Sequence, residues 1–427
     1  ITGRSILFGS LFLLAICWGI WHREVMYWIL WLIPFCLFSS SLFDKLYIAG
    51  YKDGKNPNFL SRSDNIPPGQ LSKAEDTYLE GYIQALIDTH YYELEILVLV
   101  KDRKVYLYNM PNSYITREAL VSFVRDLPDI ESVETVEGPF PEPGVADIES
   151  RAGRERVSGI WFPESTVLFQ PLIANPRTPN YSLAYRFGSD FLAKDTVAVS
   201  LGDFFPIYRF SNIGSWNADL QIDFAACVWT VFNMNAPNGR GNEWARLDNS
   251  DYLAALPISL AFGRWSFRLT FYHISTHLGD EYICNLLYAG QPVWRENPSF
   301  EVLEFMSAYQ VTEGLRVYAG PGWIVHQDNS FPMGNFYVEY GFEGRWFGKR
   351  INYHRLFGCP FIAVDVQNWQ CTDWRFSVNA LVGYEWSKLH GVGRKVRIYA
   401  QYHNGNSEGQ FFKQHLQYGA IGISWGF

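Results

Sequence analysis

Long hydrophobic runs are missing from this chain of 427 residues. Two apolar stretches open it, Ile6–Trp21 and Met26–Phe38, with His22, Arg23 and Glu24 between them. Each falls short of the roughly 20 apolar residues that a spanning helix needs. Charge is also sparse. Asp, Glu, Lys and Arg make up 18% of the residues, too little for a disordered chain. There is no basic excess: the net charge of −8 excludes broad nucleic-acid binding. The six cysteines are scattered, without a CxxC or any metal-ligand spacing, so neither a zinc site nor a disulfide framework is indicated.

Aromatic residues are what the chain has in excess. They reach 17%, with 16 Trp, 26 Tyr and 32 Phe beside 35 Gly. Mean hydropathy is nevertheless only −0.09. A membrane β-barrel gives this combination, because lipid-facing and lumen-facing residues alternate and cancel in the average. The length admits two or three domains.

Residues 1–43 read as a signal peptide or apolar N-terminal segment, with cleavage expected after Ser39, Ser40 and Ser41. A start at Met26 would leave no basic stretch ahead of the apolar run; Arg4 and Arg23 supply one if the preceding residues are real. A pair of membrane helices is the alternative. Residues 44–70 read as a linker. From Ser72 to about Tyr91 the apolar residues Leu79, Ile83 and Ile87 recur at helical spacing. Strands are expected at Glu95–Val100 and Lys104–Tyr108, then a short helix with Thr116 as N-cap and a closing strand at Val133–Val136. The order is helix, strand, strand, helix, strand across residues 71–140. With Val105-Tyr-Leu107, Ala119, Val124, Leu127 and Ile130-Glu-Ser-Val133, this region resembles the BON domain of bacterial envelope proteins. That resemblance implies a periplasmic or membrane-surface module of a kind often linked to phospholipid binding. The plainer alternative is a small α+β domain that packs or tethers. Residues 141–180 read as a Pro-rich linker, Gly138-Pro-Phe-Pro-Glu-Pro-Gly144, and a connector with few regular elements.

From Tyr181 to Phe427 the pattern alternates with period two between turn-rich stretches. Trp374, Phe376, Val378, Ala380, Val382, Tyr384 and Trp386 share one face, against Arg375, Ser377, Asn379, Gly383 and Glu385. Aromatic residues close both ends of the apolar stripes, as two interfacial girdles require. The fold class is therefore mainly β: a small αββαβ domain followed by an antiparallel transmembrane barrel of about twelve strands. The strands are expected at 181–188, 195–210, 216–230, 251–262, 264–275, 302–312, 314–325, 335–346, 361–369, 374–386, 394–403 and 415–427. Short turns at Gly263 and Thr312-Glu-Gly314 belong to the periplasmic end, and loops 231–250, 276–301 and 404–414 point outward. The ending Ile421-x-Ile423-x-Trp425-x-Phe427 is similar to the C-terminal signal of outer-membrane barrels. The resemblance implies the barrel-assembly machinery as a partner and outer-membrane lipids as surroundings. It also implies a Gram-negative-type outer membrane as the location.

By the alternation, Arg264, Arg268, Arg316, Arg345, Arg375 and Arg397 project inward with Asp223, Glu304, Glu339, Glu343, Asp365 and Glu385. Twelve strands leave a narrow interior, so these charges read as an interlocking plug, with a small-solute channel as the alternative. Cys227 is expected inside and Cys359 near the periplasmic rim; Cys284 and Cys371 lie on the outer side, where they could pair.

Candidate chemistry lies where Arg264–Ser275 reaches its outer end. His273 and Ser275 continue the lipid-facing series Trp265, Phe267, Leu269, Phe271. A His beside a Ser is the minimal pair for acyl transfer, because the imidazole can take the hydroxyl proton. Asn285 and Asn297 are candidates to orient the imidazole. The stretch His273-Ile-Ser275 with Asn285-Leu-Leu-Tyr288 resembles outer-membrane phospholipase A, although the family's Asn-Gly-Arg after the Ser is replaced by Thr276-His-Leu-Gly-Asp-Glu-Tyr282. That resemblance implies a lipid acyl hydrolase with Ser275 as nucleophile and His273 as base. A homodimer could complete the site, since a convex wall has no pocket. The alternative is that His273, Ser275 and His277 are polar because the strand has left the membrane. Asp280 and Glu281 are the candidate metal ligands, for calcium; no other cofactor is expected. Three further motifs, Phe169-Gln-Pro-Leu-Ile-Ala-Asn-Pro-Arg177, His273 to Tyr282 and Tyr402-His-Asn-Gly-Asn-Ser-Glu-Gly-Gln-Phe411, resemble an uncharacterised family of bacterial outer-membrane barrels. This implies location and fold but no activity.

Overall fold

The computed structural model describes residues 68–91, 93–127, 129–137, 140, 159–163, 166–188, 195–214, 216, 218–237, 243–293, 296–346, 357–388, 392–406 and 413–427. The signal-peptide reading, nearly all of the first linker and most of the Pro-rich linker lie outside them. The chain divides into two compact units, Ile1–Ala74 and Glu75–Phe427, and the second holds the barrel and, from Glu75 onward, the α/β layer.

The α/β layer runs α1 (Pro68–His90), β1 (Leu97–Lys101), β2 (Lys104–Tyr108), α2 (Tyr114–Arg125) and β3 (Ser132–Thr135). β1 pairs antiparallel with β2, and β3 parallel with β2. The helical spacing of Ile83 and Ile87 faces them onto Val98, Val105, Leu107 and Leu120, which are buried together. The α2 cap is Ser113 and not Thr116, which sits buried inside the first turn.

Twelve antiparallel strands close the barrel. They are β5 (Tyr181–Phe187), β6 (Asp195–Ile213), β7 (Ala218–Pro237), β8 (Glu243–Phe262), β9 (Trp265–Leu278), β10 (Ser299–Thr312), β11 (Leu315–Gln327), β12 (Phe336–Arg345), β13 (Phe357–Trp369), β14 (Phe376–Ser387), β15 (Lys395–Asn406) and β16 (His415–Gly426). Each pairs with the next, and β16 pairs with β5. A short β4 (Gly159–Trp161) extends the ladder beside β6, and helix α3 (Asp280–Tyr288) sits between β9 and β10. Gly263, with φ +52°, makes the tight turn from β8 to β9; that end of the barrel is the turn end, and α3 marks the loop end.

Strand number and facing agree with the sequence pattern, but several strands are longer. β7 continues to Pro237 and β8 begins at Glu243, so most of the expected loop 231–250 is paired strand. In this extension the apolar–polar alternation that marks a strand in sequence is lost, with Asn233, Asp248, Asn249 and Ser250 buried, although the backbone ladder persists. Arg264 and Arg375 are also corrected: both are exposed at the rims. Arg264 reaches the carbonyls of Gln310 and Val311.

Outside, Leu256, Leu269, Val382, Ile398 and Ile421 form an exposed apolar belt. Trp216, Trp265, Trp346, Tyr384 and Trp425 bound it toward the turn end, and Tyr252, Trp323, Phe336, Phe376 and Tyr402 toward the loop end. This is the two-girdle surface of a barrel in lipid. No described helix is long and apolar enough to cross a membrane.

Inside, large rings lie flat against the wall. Tyr337 covers Gly322 and Tyr318 covers Gly341, where any Cβ would meet the ring. At the turn end the α/β layer docks on the barrel. The Tyr114 N–H donates to the Gly263 carbonyl at 2.6 Å, and Phe357 and Val392 join the layer's own core.

Candidate functional site

The lumen is filled by chain. Residues 166–180, read from sequence as part of a connector, run inside the barrel; Leu172 and Ala174 have no exposed surface. Leu172 packs on Met306, Ala308 and Tyr318, and Ala174 on Phe361, Ala363 and Tyr399. The wall's charges hold this plug through its backbone. Glu343 accepts the Ile173 N–H at 2.8 Å, Arg316 donates to the Gln170 carbonyl at 2.8 Å, and Asn379 donates to the Ala174 carbonyl. Glu339 accepts from Asn175 at 2.8 Å, and Arg177 pairs with Asp251 at 2.5 Å. Phe169 lies between the guanidinium groups of Arg268 and Arg316, at 4.6 and 4.7 Å from its ring centre.

The wall charges also pair with one another. Glu385 accepts from Arg345 at 2.8 Å and Arg397 at 3.0 Å; Glu304 accepts from Arg268 at 2.9 Å and from the Tyr337 hydroxyl at 2.7 Å. Buried charges persist only when paired and hydrogen-bonded in this way. Arg209 joins three layers: it donates to Gln221 on β7 and to the Thr166 carbonyl at 2.7 Å, and lies 3.9 Å from Glu93 of the α/β layer. At the loop end Phe331 and Met333 pack in one buried cluster with Ile274, Phe300, Val302 and Trp369.

The outward His and Ser belong to a layered surface. Leu256, Phe271, Leu303 and Trp323 stand in one row across β8 to β11. The next row toward the loop end is Ala254, His273, Glu301 and His326, and the row after it is Tyr252, Ser275 and Ser299. His273 and Ser275 thus face the same way, where the apolar belt gives way to polar residues. His273 Nδ1 donates to Glu301 Oε1 at 2.7 Å, and His326 Nδ1 donates to Glu301 Oε2 at 2.6 Å. This leaves Nε2 of His273 to act as a base. No hydrogen bond joins His273 to Ser275 among the described residues.

Among the described residues neither candidate asparagine is hydrogen-bonded to the imidazole. Asn285 lies on α3, and Asn297 donates to Asp328 at 2.9 Å. The hydrogen-bond partner of His273 Nδ1 is Glu301. Sequence reading missed it because the partner lies directly across the ladder, and that requires the register. Asp280 and Glu281 open α3, and Glu281 accepts the Leu247 N–H at 3.2 Å. Acidic residues there are favoured by the helix dipole alone. Among the described residues no group of three or more His, Cys, Asp or Glu could hold a metal ion. Cys227, Cys284, Cys359 and Cys371 are free thiols.

The closed ring, apolar belt and paired aromatic girdles define a membrane-spanning β-barrel of the outer-membrane type with a filled lumen. Within that class the chain belongs to the family described as "Protein of unknown function (DUF1207)", whose profile matches residues 92–427. No curated protein matches it. Among solved structures it is similar to outer membrane phospholipase A from Escherichia coli, at 15% identity and a TM-score of 0.38, covering 57% of this chain and 91% of that one. It is similar to the Salmonella typhi outer membrane phospholipase dimer with bound calcium at 16% identity and 0.37, covering 58% and 93%. The KdgM porin follows at 13% identity and 0.33, covering 58% and 99%. At these values the similarity concerns barrel form.

Proposed function

We propose that this protein is a closed barrel of a Gram-negative-type outer membrane that anchors an envelope-facing α/β domain and does not pass solutes. The plug of residues 166–180, bound through its own backbone to Glu343, Arg316 and Asn379, carries this reading. The turn end, with the α/β layer docked on it, faces the periplasm in this account. That layer takes the role of a BON-like lipid- or envelope-binding module. Phe427 serves the assembly machinery before folding; once folded it is buried against Val167, Phe204 and Ala225. Liposomes carrying the inserted protein should not swell in isotonic sugars. Rapid swelling would mean that the barrel is a channel.

A second reading rests on the His273–Glu301 hydrogen bond. An acid on Nδ1 fixes the tautomer and orientation that a general base needs, leaving Nε2 for the proton of Ser275. Ser275 is then nucleophile toward an acyl ester of an outer-leaflet lipid, His273 the base and Glu301 the orienter. A second copy of the chain would have to supply the pocket wall. Ser275→Ala should abolish fatty-acid release from detergent-dispersed phospholipid, and Glu301→Gln should lower kcat by orders of magnitude, the cost of losing the acid from such a triad being about 10⁴-fold. Equal turnover by Ser275→Ala and wild type would remove this reading.

A further inference from the structure

Tyr402 and Asn404 come from the last of the three sequence motifs, and they belong neither to the plug nor to the His273–Glu301 surface. Both face outward near the loop end of β15. Below them the apolar residues Val382, Ala400 and Ile421 stand in one row across β14, β15 and β16. The next row toward the loop end is Ala380, Tyr402, Gly419 and, on β5, Phe187. Val378, Asn404 and Gln417 form the row after it, and Asn406 pairs with His415 beyond that.

Four of these side chains are tied together on the exposed face. Tyr402 Oη accepts from Gln417 Nε2 at 3.0 Å and from Asn404 Nδ2 at 3.3 Å, and His415 Nε2 donates to Asn404 Oδ1 at 2.8 Å. The network leaves capacity unspent: the Tyr402 proton, the Gln417 carbonyl oxygen, His415 Nδ1 and one N–H of each amide. Aromatic rings flank it. Phe187 lies across Gly419, where a Cβ would meet the ring at 2.7 Å. Phe376 follows Val378 toward the loop end on the outward face of β14 and is 67% exposed.

Charge decides which headgroup suits this face. None of the outward residues in these rows is Arg, Lys, Asp or Glu, whereas the loop-end surface of β9 to β11 carries His273, Glu301 and His326. Phosphate is recognised by arginine or lysine, and neither is offered here. Amides and a phenol instead match hydroxyl groups, which donate and accept at once. Exposed rings give the apolar C–H face of a sugar a surface to pack on. The rows continue the lipid-facing belt directly, at the level where aromatic residues meet headgroups, so the sugar is one carried on a lipid.

We infer that the outward face of Tyr402, Asn404, His415 and Gln417, between Phe187 and Phe376, binds the sugar headgroup of an outer-leaflet glycolipid. This rests on the outer-membrane reading and requires neither conduction nor acyl hydrolysis.

Native mass spectrometry of the full chain tests it, in a polyoxyethylene detergent so that no detergent sugar competes. The probe is digalactosyl diacylglycerol, compared with phosphatidylglycerol of the same acyl chains. The galactolipid should be retained saturably and about tenfold more tightly, and added dodecyl maltoside should displace it. Asn404→Leu combined with Gln417→Leu removes both amides from an exposed face and should lower galactolipid retention about tenfold, the value of two ordinary hydrogen bonds. Trp323→Leu, in the same girdle on β11, should leave retention unchanged. Heat-modifiable migration on a gel shows that each barrel is folded, and cell fractionation tests the outer-membrane reading separately. Equal retention of the two lipids by folded protein, unaltered retention by the double variant, or an equal loss with Trp323→Leu would each overturn the inference.

Discussion

Cys284 and Cys371 show how little a shared side of the barrel says about two residues. Cys284 is exposed on α3, whereas Cys371 lies in the turn after β13 and is partly covered by the loop-end cluster. Burial pushes the Cys371 thiol up to about 11, and Lys413 offsets only part of that. The thiolate is the reactive form, so below that pH Cys371 is protonated and slow. A maleimide at neutral pH should label Cys284 and spare Cys371, whose labelling should rise only as pH approaches 11. Equal labelling rates at neutral pH would contradict the burial described for Cys371. The same scale explains why Glu301 was not legible in the sequence. His273 and Ser275 lie two apart on one strand and could be placed on one face from the alternation alone. Glu301 lies 28 residues away from His273 and meets it only through the β9–β10 register.

Strand facing was readable because lipid imposes it: Phe336, Val338, Tyr340 and Phe342 cannot turn inward without burying Tyr337, Glu339 and Glu343 in the membrane. The plug was not readable, because residues 166–180 have no period. They are held by donors and acceptors of a wall that exists only once the barrel has closed. Glu343 shows the dependence. It has no exposed surface and accepts from Arg316, Arg345 and the Ile173 N–H, joining β11, β12 and the plug. Glu343→Ala would leave two buried arginines without this partner and should cost about 3–5 kcal/mol. Urea unfolding of the vesicle-inserted protein should show a clearly lower midpoint. A midpoint equal to wild type would mean that the network contributes little to stability.

At the scale of the whole molecule, three layers follow one another along one axis. The α/β layer covers the turn end through Gly263, Phe357 and Val392; the plug fills the middle; Phe331 and Met333 pack in the loop-end cluster. Arg209 ties the first layer to the second by meeting Glu93 and Thr166 together. The proposal of a closed barrel rests on these three layers. The direct test is ion conductance across planar bilayers, measured for wild type and for a variant whose residues 168–178 are replaced by a Gly-Ser segment. Wild type, shown to be inserted, should be silent, and the plugless variant should conduct. Steady conductance by wild type would contradict the closed barrel.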